Sequence, residues 1–230
     1  MASDSVKHQI LTAAGSVFAD HGFKSATVRE ICKSASVNVA AVNYYFGDKQ
    51  QLYLETVRLA RRLKTERLPM PEWPDSVSPK EQLHQYVHVM LQRMLGEQDL
   101  WQTRLMMREV MRPTDACRSL VEDYFRPQFE RLLKIVDQLV PNPVSTEKSH
   151  QLAFSVIGQC FFYLAARDTV PMMITEEEMK THFAIDELAN HIANFAFAAI
   201  SSPNIGRDES GSSSQNNRQQ SNTAKAKNVP

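Results

Sequence analysis

Apolar side chains in the first 67 residues recur at helical intervals rather than in alternation. Val6, Ile10, Leu11, Ala14, Val17 and Phe18 fall three, four or seven apart and make one stripe of an amphipathic helix. Gly22 stands where a left-handed C-terminal cap belongs. Thr27-Val28-Arg29-Glu30 has the form of a capping box, in which hydroxyl and carboxylate each satisfy the other residue's amide, and it predicts a helix of about two turns ending at Ser34. Ala35-Ser36-Val37 reads as a tight turn, and Asn38 suits the N-cap of a helix over Val39–Phe46. Gly47 ends that helix. Asp48 with Gln51 predicts a second capping box, opening a longer helix to Arg67 whose inner face carries Leu52, Val57, Ala60 and Leu63.

Four prolines, Pro69, Pro71, Pro74 and Pro79, then fall within eleven residues and predict a linker over 68–79, because proline removes an amide donor and disfavours helix at the residue before it. Beyond it the pattern is again helical, over 78–95, 100–112, 115–139, 146–167 and 183–200, with no alternating strand pattern and no repeat. From Ser201 the composition turns to Ser, Asn, Gln, Gly and Lys, so 201–230 is expected to stay disordered. The fold class is all-α: a three-helix N-terminal domain over 1–67, a proline-rich linker over 68–79 and a helical bundle over 80–200.

Composition narrows the function. No run of about eighteen apolar residues exists, so a membrane-spanning helix is excluded, and the start lacks the basic and apolar regions of a secretory signal. Cys32, Cys117 and Cys160 have neither disulfide-framework nor zinc spacing, which suits a reduced, cytoplasmic compartment. Only seven glycines occur, with no phosphate-binding loop, so no cofactor is expected. Net charge is zero, yet residues 1–67 hold ten of the 26 Lys and Arg and six of the 26 Asp and Glu, a balance of +4 that leaves −4 for the rest. That split suits a polyanion partner for the first segment.

Short helices joined by a tight turn form a helix-turn-helix, whose second helix must be short and fixed by the first if its outer face is to enter a major groove about 12 Å wide. Val28, Ile31, Val37 and Val42 have the spacing to fix that crossing, leaving Ala40, Ala41, Asn43 and a tyrosine outside. Small residues permit close approach, asparagine bonds adenine bidentately, and a tyrosine hydroxyl reaches phosphate.

The run Thr27-Val28-Arg29-Glu30-Ile31, Val37-Asn38, Val42-Asn43-Tyr44-Tyr45-Phe46-Gly47-Asp48-Lys49 and Leu52 resembles the DNA-binding domain of the TetR/AcrR family of transcriptional regulators. The resemblance spans roughly residues 5–65. It implies phosphate-backbone and groove-edge contacts at Thr27 and Arg29, and base-facing positions at Val39, Ala40, Ala41 and Asn43, with Asn38 beside them. It also implies phosphate contacts at Tyr45 and Lys49, and at Tyr44 either a DNA contact or a partly buried aromatic. The family's turn usually reads Ala-Gly-Val, whereas Ser36 stands here; if that position needs a positive φ, serine costs about 1 kcal/mol.

The C-terminal half resembles the family's ligand-binding and dimerisation domain, and Arg108–Thr114, Arg126-Pro127 and Ile157–Phe162 are similar to the CecR-like subgroup. The resemblance implies double-stranded operator DNA as partner, a homodimer, a small-molecule effector and repression rather than activation. Met94, Trp101, Met106, Met107, Met111, Phe125, Phe129, Phe161, Phe162 and Tyr163 supply adaptable surface, either as bundle core or around a pocket. The candidate ligand residues are Met106, Met111, Phe125, Phe129, Gln159 and Phe162. Arg108 and Glu109 read as a buried polar pair gating that pocket or as a structural salt bridge. The apolar 195–200 stretch suits burial, either within the chain or against the same helices of a second copy. His84 and His88, four apart on one helix, offer the alternative of a metal-dependent enzyme, although no third ligand and no intervening glutamate accompany them.

Overall fold

The structure, a computed structural model, describes residues 2–96 and 101–205. Among them the regular elements are all helical: α1 (Ala2–Ser25), α2 (Val28–Ser34), α3 (Val39–Phe46), α4 (Lys49–Arg67), α5 (Pro79–Leu95), α6 (Trp101–Met111), α7 (Asp115–Leu120), α8 (Arg126–Leu139), α9 (Thr146–Ala165), α10 (Glu176–His182) and α11 (Ile185–Ile200). A five-residue π-helical turn, Val121–Phe125, joins α7 to α8.

Local chemistry sets the helix starts. Thr27 and Glu30 form the complete capping box, and the two bonds from Thr27 hold the Glu30 carboxyl below its usual range. Asn38 Oδ1 accepts from the Ala41 amide at 2.9 Å, and Asp48 Oδ1 from the Gln51 amide at 2.8 Å, the one half of the second box that is made. Ser36 holds the turn at φ 50, the strained position at which glycine is the easier residue. Gly22 also has positive φ, at 74, and kinks α1 there, with a short helical turn over 23–25 following it.

Two cores share the chain. The first gathers α1 to α4 around Ile10, Phe18, Ile31, Val42, Leu52 and Tyr53, and it includes Trp101, Leu105, Ala116 and Leu120 from α6 and α7. The second packs α5, α8, α9 and α11 around Leu83, Tyr86, Leu132, Ile135, Val156 and Ile192. The proline-rich segment is irregular but fastened. Met70 is buried, the Trp73 indole donates to Gln85 at 2.8 Å, Arg131 donates to the Pro71 carbonyl at 3.0 Å, and the Arg93 guanidinium donates to the Leu68 carbonyl.

Several elements differ from the sequence pattern. The single helix expected over 115–139 contains the π-turn, the helix expected to Arg167 ends at Ala165, and α11 begins at Ile185. Helix α10, opened by a Thr175–Glu178 capping box, and a 3-10 turn, Val170–Met172, occupy a stretch that had no assignment. Residues 201–205, expected in the tail, form turns that pack Ile205 on the second core; the rest of that tail, from 206, lies outside the described residues, as does Leu100.

Candidate nucleic-acid interface and internal cavity

Helix α3 is held from behind by Val42 and Phe46, both buried, one turn apart on its inner face. Tyr45, three residues after Val42, falls beside them and packs half-buried against the first core. Tyr44 points the other way, 81% exposed, with its ring edge-on to Tyr45 at 5.0 Å. A packed aromatic at Tyr44 is therefore not what the helix phase produces; Tyr45 takes that place. Val39, 42% exposed, Ala40 and Asn43 lie on the outer surface, and Ala41 is half-buried.

Thr27, Arg29 and Asn38 are exposed at the N-terminal ends of α2 and α3. The side chains of Thr27 and Asn38 are already committed to caps, which fixes their oxygen atoms in place. Lys49, in the first turn of α4, donates to the Lys24 carbonyl at 3.3 Å and lies 4.8 Å over the Phe23 ring. Its ammonium must leave these partners to meet a phosphate.

The second feature is a cavity of about 500 Å³ bounded by α4, α5, α6, the π-turn, α8 and α9. Met106, Phe125 and Phe129 line it, with Met94, Met107 and Phe161. Met111, Gln159 and Phe162 do not. Met111 is 67% exposed at the end of α6, Phe162 is 53% exposed on the outside of α9, and Gln159 bonds back to the Ser155 carbonyl of its own helix. On α9 the cavity-lining positions are Phe154, Ile157, Phe161 and Leu164, so of the neighbours Phe161 and Phe162 it is Phe161 that faces the space. Trp101 is instead wedged between α6 and α1, over Gly15, where an added Cβ would come within 2.4 Å of its ring. Lys64, Tyr86, Arg93 and Tyr124 also line the cavity, and sequence patterning passed over all four because polar residues on a helix read as solvent face.

Arg108 and Glu109 do not pair with each other and do not line the cavity. The Arg108 guanidinium donates to the Ala19 and Asp20 carbonyls at the end of α1. Glu109, fully buried, accepts from the Tyr53 hydroxyl, from the Thr114 amide at 3.1 Å and from the Thr114 hydroxyl. Burial, then the bond to Glu109, pushes the Tyr53 phenol well above its ordinary pKa, so it stays a proton donor. Successive residues thus tie α6 to α1 on one side, and to α4 and the start of α7 on the other.

His84 and His88 place their Nε2 atoms against α11, at 2.8 Å from Asn190 Oδ1 and 2.7 Å from Asp186 Oδ1. Among the described residues no group of three His, Cys, Asp or Glu is placed to hold a metal ion. No helix of the described residues is long and apolar enough to cross a membrane.

Comparison with known proteins agrees with this architecture. Residues 79–200 match the family described as the C-terminal domain of the HTH-type transcriptional dual regulator CecR, and residues 10–56 match the bacterial regulatory proteins of the tetR family. The CecR regulator of Shigella flexneri is 23% identical over 177 residues, covering 73% of this chain and 79% of that protein. The regulator BetI of Agrobacterium fabrum is 37% identical over 84 residues, covering 36% of this chain and 40% of its own length. Among solved structures, a TetR-like regulator from Rhodococcus sp. RHA1 superposes with a TM-score of 0.58 at 20% identity, over 85% of this chain and 96% of that one. AibR, in complex with isovaleryl coenzyme A and operator DNA, superposes at 0.61 with 16% identity, over 84% and 98%. The chain belongs to the TetR family of DNA-binding transcriptional regulators, with a C-terminal domain of the CecR type.

Proposed function

We propose that the chain is a ligand-responsive repressor that binds an inverted-repeat operator as a homodimer. The observation that carries the reading is the outer face of α3: exposed Val39, Ala40, Asn43 and Tyr44 on a short helix locked from behind by Val42 and Phe46. Small residues flanking one amide side chain suit base-edge readout, while Arg29, Tyr45 and Lys49 suit the phosphates on either side. Two copies related by a two-fold axis read two half-sites about 34–36 Å apart, or slightly more. Phe162 of α9 and Phe195 of α11, both large and exposed, favour these helices as the contact between copies. The cavity suits a small-molecule effector. An effector controls DNA binding only through unequal affinity for the two arrangements of the recognition helices, with a coupling of about 5–150-fold.

Selection of bound duplexes from a random pool tests the reading. It is expected to return an inverted repeat. Asn43→Ala should then cost about 1–3 kcal/mol and relax preference at one base pair per half-site. Lys49→Ala should weaken all sequences and lower the salt slope by about one. Direct repeats bound equally well, or Asn43→Ala without effect on affinity or preference, would overturn it.

A further inference from the structure

Among the described residues the cavity walls are mainly Met, Phe, Val, Ile and Leu side chains, with Tyr86, Tyr124, Thr103 and Gln128, yet every charged residue on that lining, Lys64, Arg93 and Arg126, is a cation. Arg126 is exposed and solvated. Arg93 is only 5% exposed. Its Nε and Nη2 donate to the Leu68 carbonyl at the C-cap of α4, and its Nη1 lies 3.4 Å from the Tyr124 hydroxyl. The Lys64 ammonium donates to the Arg93 carbonyl in the last turn of α5. Neither cation meets a carboxylate among the described residues.

One buried and one half-buried unit charge, Arg93 and Lys64, are thus answered among the described residues by the carbonyl ends of two helices. A helix C-terminus is worth roughly half an elementary charge, so about one positive charge is left over. Burial is expensive for a charge without a counter-ion. The same imbalance shows in Lys64: desolvation first, then the positive charges of Arg93 and Arg67, push its ammonium down to about 8. A cationic ligand would worsen the imbalance, and a neutral one would leave it.

We infer that the cavity is built for an apolar monoanion, a carboxylate on a hydrocarbon or aryl body, with its head group on Lys64 and the loosely held Nη1 of Arg93 and its body against Met106, Phe129 and Phe161. This rests on the reading of the cavity as the effector site and specifies its ligand class. The volume lies within the span of small-molecule sites.

Calorimetry on the full chain at pH 7 tests it with two frames carrying three head groups, all below micellar concentration. The probes are decanoate, decanol and decylammonium, then 2-naphthoate, 2-naphthalenemethanol and 2-naphthylmethylammonium. On at least one frame the carboxylate should bind about tenfold or more tighter than the alcohol, and the ammonium weakest. Lys64→Met should abolish the preference. A pH series on the wild-type chain gives an independent arm that needs no variant. The charges acting on Lys64 are Arg93 on α5 and Arg67 on its own helix, and the other titratable groups on the cavity lining are Tyr86, Tyr124 and Arg126. A bound anion raises the pKa of Lys64, so binding takes up a proton, and carboxylate affinity should fall as pH rises through about 8 while alcohol affinity stays level. Alcohols bound as tightly as carboxylates on both frames, a preference for ammonium, or no carboxylate binding at all would overturn the inference. Operator titrations separate it from the regulatory reading. Alcohols that bind and release DNA would leave regulation standing and remove the anion site. Carboxylates that bind through Lys64 without moving operator affinity would do the reverse.

Discussion

Glu109→Ala is expected to be the most damaging single substitution where α6 packs on α4 and the start of α7. Its carboxylate accepts from the Tyr53 hydroxyl and from both donors of Thr114. Truncation leaves the phenol, on a residue 3% exposed, without an acceptor, which costs about 1–3 kcal/mol. The emptied volume adds about 1 kcal/mol. Thr114 is half-buried and can turn to water, so its loss adds less, about 0.5–1 kcal/mol. The total is about 4 kcal/mol, or roughly 10 °C in Tm for a chain of this length. Tyr53→Phe alone should cost about 1.5 kcal/mol, because the carboxylate keeps both bonds to Thr114. The double variant is the sharper test. Once Glu109 is gone, replacing Tyr53 by Phe removes the orphaned hydroxyl and should recover about 2 kcal/mol. Urea unfolding at fixed protomer concentration, followed by circular dichroism and by the fluorescence of buried Trp101, measures all three. Additive losses, or a Glu109→Ala cost below about 1 kcal/mol, would refute the assignment of Glu109 as the shared acceptor.

Ser36→Gly should raise stability by up to about 1 kcal/mol in the same unfolding assay, since φ 50 costs serine what glycine does not pay. Gly15→Ala should cost about 1–3 kcal/mol, because its Cβ would meet the Trp101 ring at 2.4 Å and force α1 from α6; an unchanged Tm would show that the ring moves freely aside. Thr27→Ala should lower stability by about 0.5–2 kcal/mol through loss of the α2 cap. Alkylation of the native protein at pH 8, read by mass spectrometry, should label half-buried Cys117 before Cys32 or Cys160, both buried; burial pushes the Cys160 thiol up to about 12.

The DNA-facing half was legible because its information is local. Caps at Thr27, Asn38 and Asp48 and the phase of Val42 and Phe46 each act within one turn of helix. The glycine usual in the resembling family at the position of Ser36 also points to the turn that takes a positive φ. What stayed hidden depends on distant partners. Nothing near Trp101 or Leu105 says that they join the core of α1 to α4. The inward face of α9 turns on the choice between Phe161 and Phe162, neighbours of equal hydrophobicity. Arg93 resembles any solvent-facing arginine until Leu68 and Tyr124 are placed beside it. By contrast, the π-turn at Val121–Phe125 lies just before Pro127, which has no amide to continue the helical ladder, so a break there was readable in principle. The same holds for helix α10, since Thr175-Glu176-Glu177-Glu178 is an ordinary capping-box sequence.

The fastening of segment 68–78 has a mechanical consequence. A random coil of that length would reach about 18 Å and would let each DNA-binding end find its half-site almost independently of the other. Here the segment is pinned by Arg93, Arg131 and Gln85, and α6 and α7, which follow it in the chain, pack into the core of α1 to α4, so the DNA-binding end is fastened rather than tethered. In a two-fold pair the gap between the recognition helices is then set by the protein. One extra base pair between half-sites displaces the second by about 3.4 Å and turns it by roughly 35°. A tethered reader would absorb that misfit at little cost in tether entropy, whereas this one must strain packed helices, so insertion of a single base pair should all but abolish operator binding.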